Sequence, residues 1–135
     1  MGDLTNNFSK SEISCPLSGD SRISPRLMEK VQQVRDLLGR GVILTSGVRS
    51  VQHNKNVGGV DGSAHVPRDL EDGEGEVCHA VDIRCSSSRD RYEMLPLCFG
   101  RFNRIGIGRN FIHVDTDSTK PSNVAFHYYS SKHKA

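Results

Sequence analysis

Hydrophobic residues recur three and four apart between Ser24 and Leu38. Leu27, Met28, Val31, Val34, Leu37 and Leu38 fall on one side of a 3.6-residue repeat, which predicts an amphipathic helix. Ser24 suits its N-cap and Pro25 its first turn, and Gly39 or Gly41 ends it. Val42 to Thr45 then forms a short buried strand. A polar, glycine-rich segment follows from Ser46 to about Glu76, and half of it is expected to be irregular. Val77 to Ile83 predicts a second strand, Ser88 to Cys98 a helix, and Arg104 to Gly108 and Phe111 to Asp115 two more strands. Alternation in the last of these puts Phe111, His113 and Asp115 on one face and Ile112 and Val114 on the other. Val124 to Tyr129 is a final candidate strand. The order predicts an α+β domain: a small, mostly antiparallel sheet flanked by helices.

Composition narrows this picture. At 135 residues the chain makes one domain, and 35% hydrophobic with 25% charged residues is polar but not disordered. The net charge is +2, with Lys and Arg spread along the chain, so no basic face suits nucleic acid. No apolar run approaches the ~20 residues of a membrane helix. The first fourteen residues lack the apolar stretch of an export signal. The four cysteines include no CxxC pair, and small buried thiols are the expected state.

The chemistry lies in polar residues set within apolar strands. Asp82 is costly to bury unless paired or metal-bound, so a structural ion pair and a ligand role are both open to it. His113 suits a core histidine or a ligand, and His65, on a glycine-flanked loop, an exposed histidine or a ligand. Together, two His and one carboxylate are a usual catalytic zinc set. Such a site lowers the pKa of a bound water towards ~7. The same set also suits iron. Arg49, where the first strand turns into the glycine-rich segment, is a surface arginine or the cation that stabilises an oxyanion.

The motifs run Thr45-Ser46-Gly47-Val48-Arg49-Ser50, His53-Asn54, Val57-Gly58-Gly59, Ser63-Ala64-His65, Ala80-Val81-Asp82-Ile83, Ile105-Gly106-Ile107-Gly108 and Phe111-Ile112-His113-Val114-Asp115. In this order they resemble the zinc D-alanyl-D-alanine carboxypeptidase family of peptidoglycan peptidases, from about residue 7 to about residue 116. The ligand arrangement is shared with the Hedgehog signalling domain. The resemblance implies one Zn2+ per chain, held by His65, Asp82 and His113. It implies Arg49 on the substrate carboxylate or developing oxyanion, and Ser63 as a substrate-side hydrogen-bonding group. It implies hydrolysis next to D-amino acids in peptidoglycan stem peptides, by an endolysin-like endopeptidase or a D,D-carboxypeptidase. A non-catalytic, metal-stabilised binding module of the same fold is the alternative. Residues 1–22 are expected to be an N-terminal arm packed on a zinc peptidase domain at 23–135.

Two departures stand out. Sixteen residues, Val66 to Val81, separate His65 from Asp82 where the family usually has six, and the extra stretch is acidic. It suits a solvated loop, a substrate-side flap or a second cation site. No acid or base precedes His113, so Asp115 is the candidate either to orient the zinc site or to act as base. A monomer is expected, with no nucleic-acid or membrane partner. Without an export signal it would be made in the cytoplasm and act at the bacterial cell wall, as phage lysins do.

Overall fold

The fold is that of a computed structural model, described for residues 2–128; Tyr129, the end of the last predicted strand, lies outside that range. Four helices, α1 (Lys10–Ile13), α2 (Pro25–Leu38), α3 (Val51–Asn56) and α4 (Ser88–Phe99), accompany a five-stranded sheet. The sheet strands are β1 (Leu44–Ser46), β4 (Ala80–Arg84), β5 (Arg104–Ile107), β6 (Phe111–Asp115) and β7 (Val124–His127). Their spatial order is β1-β4-β6-β5-β7, antiparallel except for the β5–β7 pair. The α+β reading therefore holds. Two short strands, β2 (Arg68–Asp69) and β3 (Glu76–Val77), form a separate antiparallel ribbon.

Helix α2 follows its sequence pattern closely. The Ser24 hydroxyl accepts from the Leu27 amide, Pro25 opens the helix, and Gly39 closes it with φ of 75°. That left-handed conformation costs glycine little. Leu27, Met28, Val31 and Val34 are buried, whereas Leu37 is 57% exposed. Leu38, one position on, packs partly against the core in its place.

The predicted strand from Val77 to Ile83 divides in two. Val77 pairs with Arg68 in the ribbon, and Ala80–Arg84 pairs with β6. Between them the backbone finds other partners. The Cys78 amide donates to Arg22 O and its carbonyl accepts from Ser24 N; the His79 amide donates to Ala64 O. Cys78 consequently joins the hydrophobic core rather than the face that carries Asp82. Of the Ser46–Glu76 segment, α3 and β2 are the regular parts besides its two ends, so more of it is irregular than the expected half.

One face of the large sheet meets the helices. Val81 and Ile83 of β4, Ile105 of β5, and Ile112 and Val114 of β6 are at most 1% exposed and pack with the buried side of α2. Phe8, Ile13 and Cys15 from the N-terminal segment are equally buried in the same core. Alternation then sends Asp82, His113 and Asp115 to the opposite face. Gly47 lets the segment after β1 pass close to the end of α1: a Cβ there would lie 2.6 Å from the Ile13 carbonyl oxygen. The Val48 amide donates to that same oxygen.

Candidate metal centre

Strand register assembles most of the site. Asp82 on β4 stands directly opposite His113 on β6, and Ala80 opposite Asp115. Cross-strand partners place their Cβ atoms ~5 Å apart, so the carboxylate and imidazole are neighbours by construction. On the other side of β6, Gly106 of β5 is opposite His113 and Arg104 is opposite Asp115. Phe126 of β7 in turn faces Gly106. A Cβ at Gly106 would lie 2.6 Å from the Phe126 ring and 2.7 Å from the Tyr128 ring. Glycine here lets both rings approach the sheet beside His113.

His65 arrives from a loop fastened on both sides. The Arg49 amide donates to His65 O, the His79 amide donates to Ala64 O, and the His65 amide donates to Ser63 Oγ. Residues 64–65 are thereby held between the end of β1 and the start of β4. The His65 side chain is fully buried. Its Nδ1 lies 2.7 Å from Gly47 O, which as a carbonyl requires Nδ1 to carry the proton. That tautomer leaves the lone pair on Nε2. Nε2 lies 3.3 Å from Asp82 Oδ1 and has no directed hydrogen-bond partner.

His65, Asp82 and His113 each bring one ligand-type atom to within 4.8 Å of the others, and all three are buried. His113 Nδ1 is 3.0 Å from Asp82 Oδ1, and Nε2 is 2.7 Å from Asp115 Oδ2. Burial opposes a charge on His113, but the carboxylates on both sides outweigh it and push its pKa up to about 8. Burial dominates at His65 and lowers its pKa, which favours the neutral ring a metal requires. Burial likewise opposes the charge on Asp82. His65 and His113 reverse that and hold its pKa below the ordinary carboxylate value.

The donor set fits a divalent transition metal: two imidazole nitrogens and one carboxylate. The unpaired, buried Nε2 of His65 leaves a lone pair that a metal could take and that a closed hydrogen-bond cluster would not leave. Each imidazole also has its outer nitrogen anchored, His65 by a carbonyl and His113 by a carboxylate, as metal-binding histidines generally do.

The surrounding groups are fixed in turn. Asp115 Oδ1 accepts from Arg104 Nε at 3.0 Å and from the Asp117 amide at 3.1 Å, while Oδ2 faces His113. Both of its oxygens are therefore engaged. Arg49 is 3% exposed. Its Nη2 lies 3.5 Å from Asp82 Oδ2, its Nε donates to Ser46 Oγ, and its Nη1 donates to Asn54 Oδ1. Ser63 is buried and, with Val60, Arg104, Lys120, Phe126 and Tyr128, borders a cavity of about 200 Å3 that reaches His113 and Asp115.

Sequence reasoning singled out His65, Asp82, His113, Asp115, Arg49 and Ser63, and the structure brings all six together. It missed Asn54, Arg104, Phe126 and Tyr128. Arg104 and Gly106 alternate within a predicted strand, but only the β5–β6 register puts that face beside His113. Phe126 and Tyr128 reach it through the parallel β5–β7 pairing. The four cysteines are all free and buried, the state expected from their spacing. Burial pushes the Cys78 and Cys98 thiols up to about 12.

Among curated proteins, none matches the sequence. The family model described as Peptidase M15 does match, over residues 5–115, a span that holds the His65, Asp82 and His113 cluster, Arg49, Ser63 and Asp115. The chain therefore belongs to the Peptidase M15 family of zinc-dependent metallopeptidases.

Proposed function

We propose that this protein hydrolyses peptide bonds next to D-amino acids in peptidoglycan stem peptides, as an endolysin-like endopeptidase or a D,D-carboxypeptidase. The observation that carries this reading is the convergence of His65 Nε2 and His113 Nδ1 on the Asp82 carboxylate beside an open cavity. Bound there, zinc supplies Lewis acidity, lowering the pKa of a water and polarising a carbonyl. The chain's own residues do the rest. Gly47 O and Asp115 lock the two imidazoles so that one lone pair of each faces Asp82. Arg49 neutralises Asp82 on its far side and supplies positive potential where negative charge develops on the scissile carbonyl. Asp115 orients His113 rather than taking a proton, because both of its oxygens already accept hydrogen bonds. Ser63, Arg104 and Lys120 border the cavity, and the two cations suit the carboxylates of a stem peptide. The place of action is then the bacterial cell wall.

One observation favours a second reading, a metal-stabilised wall-binding module. Among the described residues bordering the cavity, Asp115 is the one carboxylate, and it is engaged. Zymography on peptidoglycan, with product analysis on defined stem peptides, separates the two. Hydrolysis by the zinc-loaded protein, lost in Asp82→Ala and in Arg49→Ala, supports the peptidase. Absence of cleared wall and of freed amines, with zinc retained by the parent and lost in His113→Ala, supports the binding module.

A further inference from the structure

The acidic stretch between His65 and Asp82 holds a second group of ligand-type side chains. Asp72, Glu74 and His79 each bring one donor atom to within 4.8 Å of the other two, and they share no residue with the first cluster. Acidic side chains on a loop are ordinary, but His79 is not. It is 1% exposed. Its Nε2 lies 3.3 Å from Arg68 O, so Nε2 carries the proton and donates to that carbonyl. In the neutral ring Nδ1 then carries the lone pair, and it is buried without any hydrogen-bond partner. A buried acceptor left unpaired is unfavourable unless something binds it. His65 in the first cluster shows the same arrangement: one nitrogen anchored by a carbonyl, the other free.

The two carboxylates are held in place from outside. Both Glu74 oxygens accept from Ser24 Oγ, at 2.7 and 2.9 Å, and Oε2 accepts from the Arg26 amide at 3.2 Å. These are groups at the head of α2, where a helix favours negative charge. Asp72 Oδ1 accepts from the Glu74 amide at 3.1 Å, which draws the two acids together. Arg26 Nη1 lies 4.0 Å from Asp72 Oδ2, and the Arg26 side chain is 63% exposed. Two adjacent carboxylates and an imidazole with one unpaired, buried nitrogen are thus gathered at one spot.

We propose that Asp72, Glu74 and His79 form a second divalent-cation site, one that fastens the 66–79 stretch to the start of α2. The imidazole selects a borderline transition ion such as zinc over calcium or magnesium, which prefer oxygen ligands alone. The role is structural: the stretch it fastens leads directly into β4 and Asp82.

The test is metal content of the full chain, stripped with chelator, reloaded with zinc and passed through gel filtration. The parent is expected to hold two zinc ions per chain. The Asp72→Asn/Glu74→Gln double variant and His79→Gln are each expected to hold one, as is His113→Ala, which empties only the first site. The double variant alters partly exposed positions, so it still decides the matter if His79→Gln does not fold. Limited trypsin digestion gives an independent reading, with cleavage after Arg68 slowed by zinc in the parent and in His113→Ala but not in the double variant. A parent holding one ion, a double variant holding as many as the parent, or a second site filled by calcium and not by zinc would each overturn the proposal.

Discussion

Replacing Asp115 with Asn tests how far the metal centre depends on the groups behind it. The carboxylate accepts three hydrogen bonds: from His113 Nε2 at 2.7 Å, from Arg104 Nε at 3.0 Å and from the Asp117 amide at 3.1 Å. All three partners are donors. An asparagine of the same shape has one oxygen and one amino group. If its oxygen faces His113, its amino group meets Arg104 and the Asp117 amide; if it turns over, its amino group meets His113. In either orientation a donor faces a donor in a buried place, and His113 also loses the negative charge that raises its basicity. Loss of such an outer partner typically weakens metal binding about 10- to 100-fold. That corresponds to about 1.4 to 2.8 kcal/mol of binding free energy. Competition titration against a chromophoric zinc chelator measures it directly, with circular dichroism to confirm that the variant is folded. A folded Asp115→Asn protein that binds zinc as tightly as the parent would refute the orienting role.

Other expectations follow from the same geometry. Asp117 has a fully buried side chain paired with Arg68 and Lys120. Burial raises its pKa, but the Thr119 hydrogen bonds and these cations outweigh it and hold the pKa below the ordinary value. A depressed carboxylate stabilises the fold above its unfolded pKa and loses that contribution as pH falls through its folded pKa. Asp117→Asn should therefore be less stable than the parent at neutral pH, with the gap closing below about pH 4; urea titrations across pH check this, and a pH-independent gap would count against it. Phe8→Ala should cost about 3 to 5 kcal/mol in urea unfolding, because Phe8 is 1% exposed within the main core. A loss below about 1 kcal/mol would mean that the N-terminal segment is dispensable to the fold.

Local rules accounted for much of the architecture. Three- and four-residue spacing, a serine cap and a positive-φ glycine account for α2 with both boundaries as observed. Period-2 alternation separated the core residues Ile112 and Val114 from His113 and Asp115. These signals are legible because each depends on neighbours within a few positions. The Val77–Ile83 stretch misled for the opposite reason. Its apolar run has strand composition, yet Cys78 and His79 bond to Arg22, Ser24 and Ala64, which no local pattern foretells.

The site divides in the same way. Residue types and motif order in the sequence nominated His65, Asp82 and His113, since few uses suit a carboxylate inside an apolar strand. Only tertiary structure set their geometry. The β4–β6 register sets Asp82 opposite His113, the Gly47 carbonyl selects the tautomer of His65, and Arg104 and Asp117 engage the Asp115 oxygen that does not face His113. The same holds for His79: its sequence context marks it as a strand residue, and only the folded chain leaves one of its nitrogens unpaired and brings its ring near Asp72 and Glu74. Sequence carries side-chain chemistry and short-range periodicity. Which lone pairs stay free depends on hydrogen bonds between residues far apart in the chain, and those exist only once it has folded.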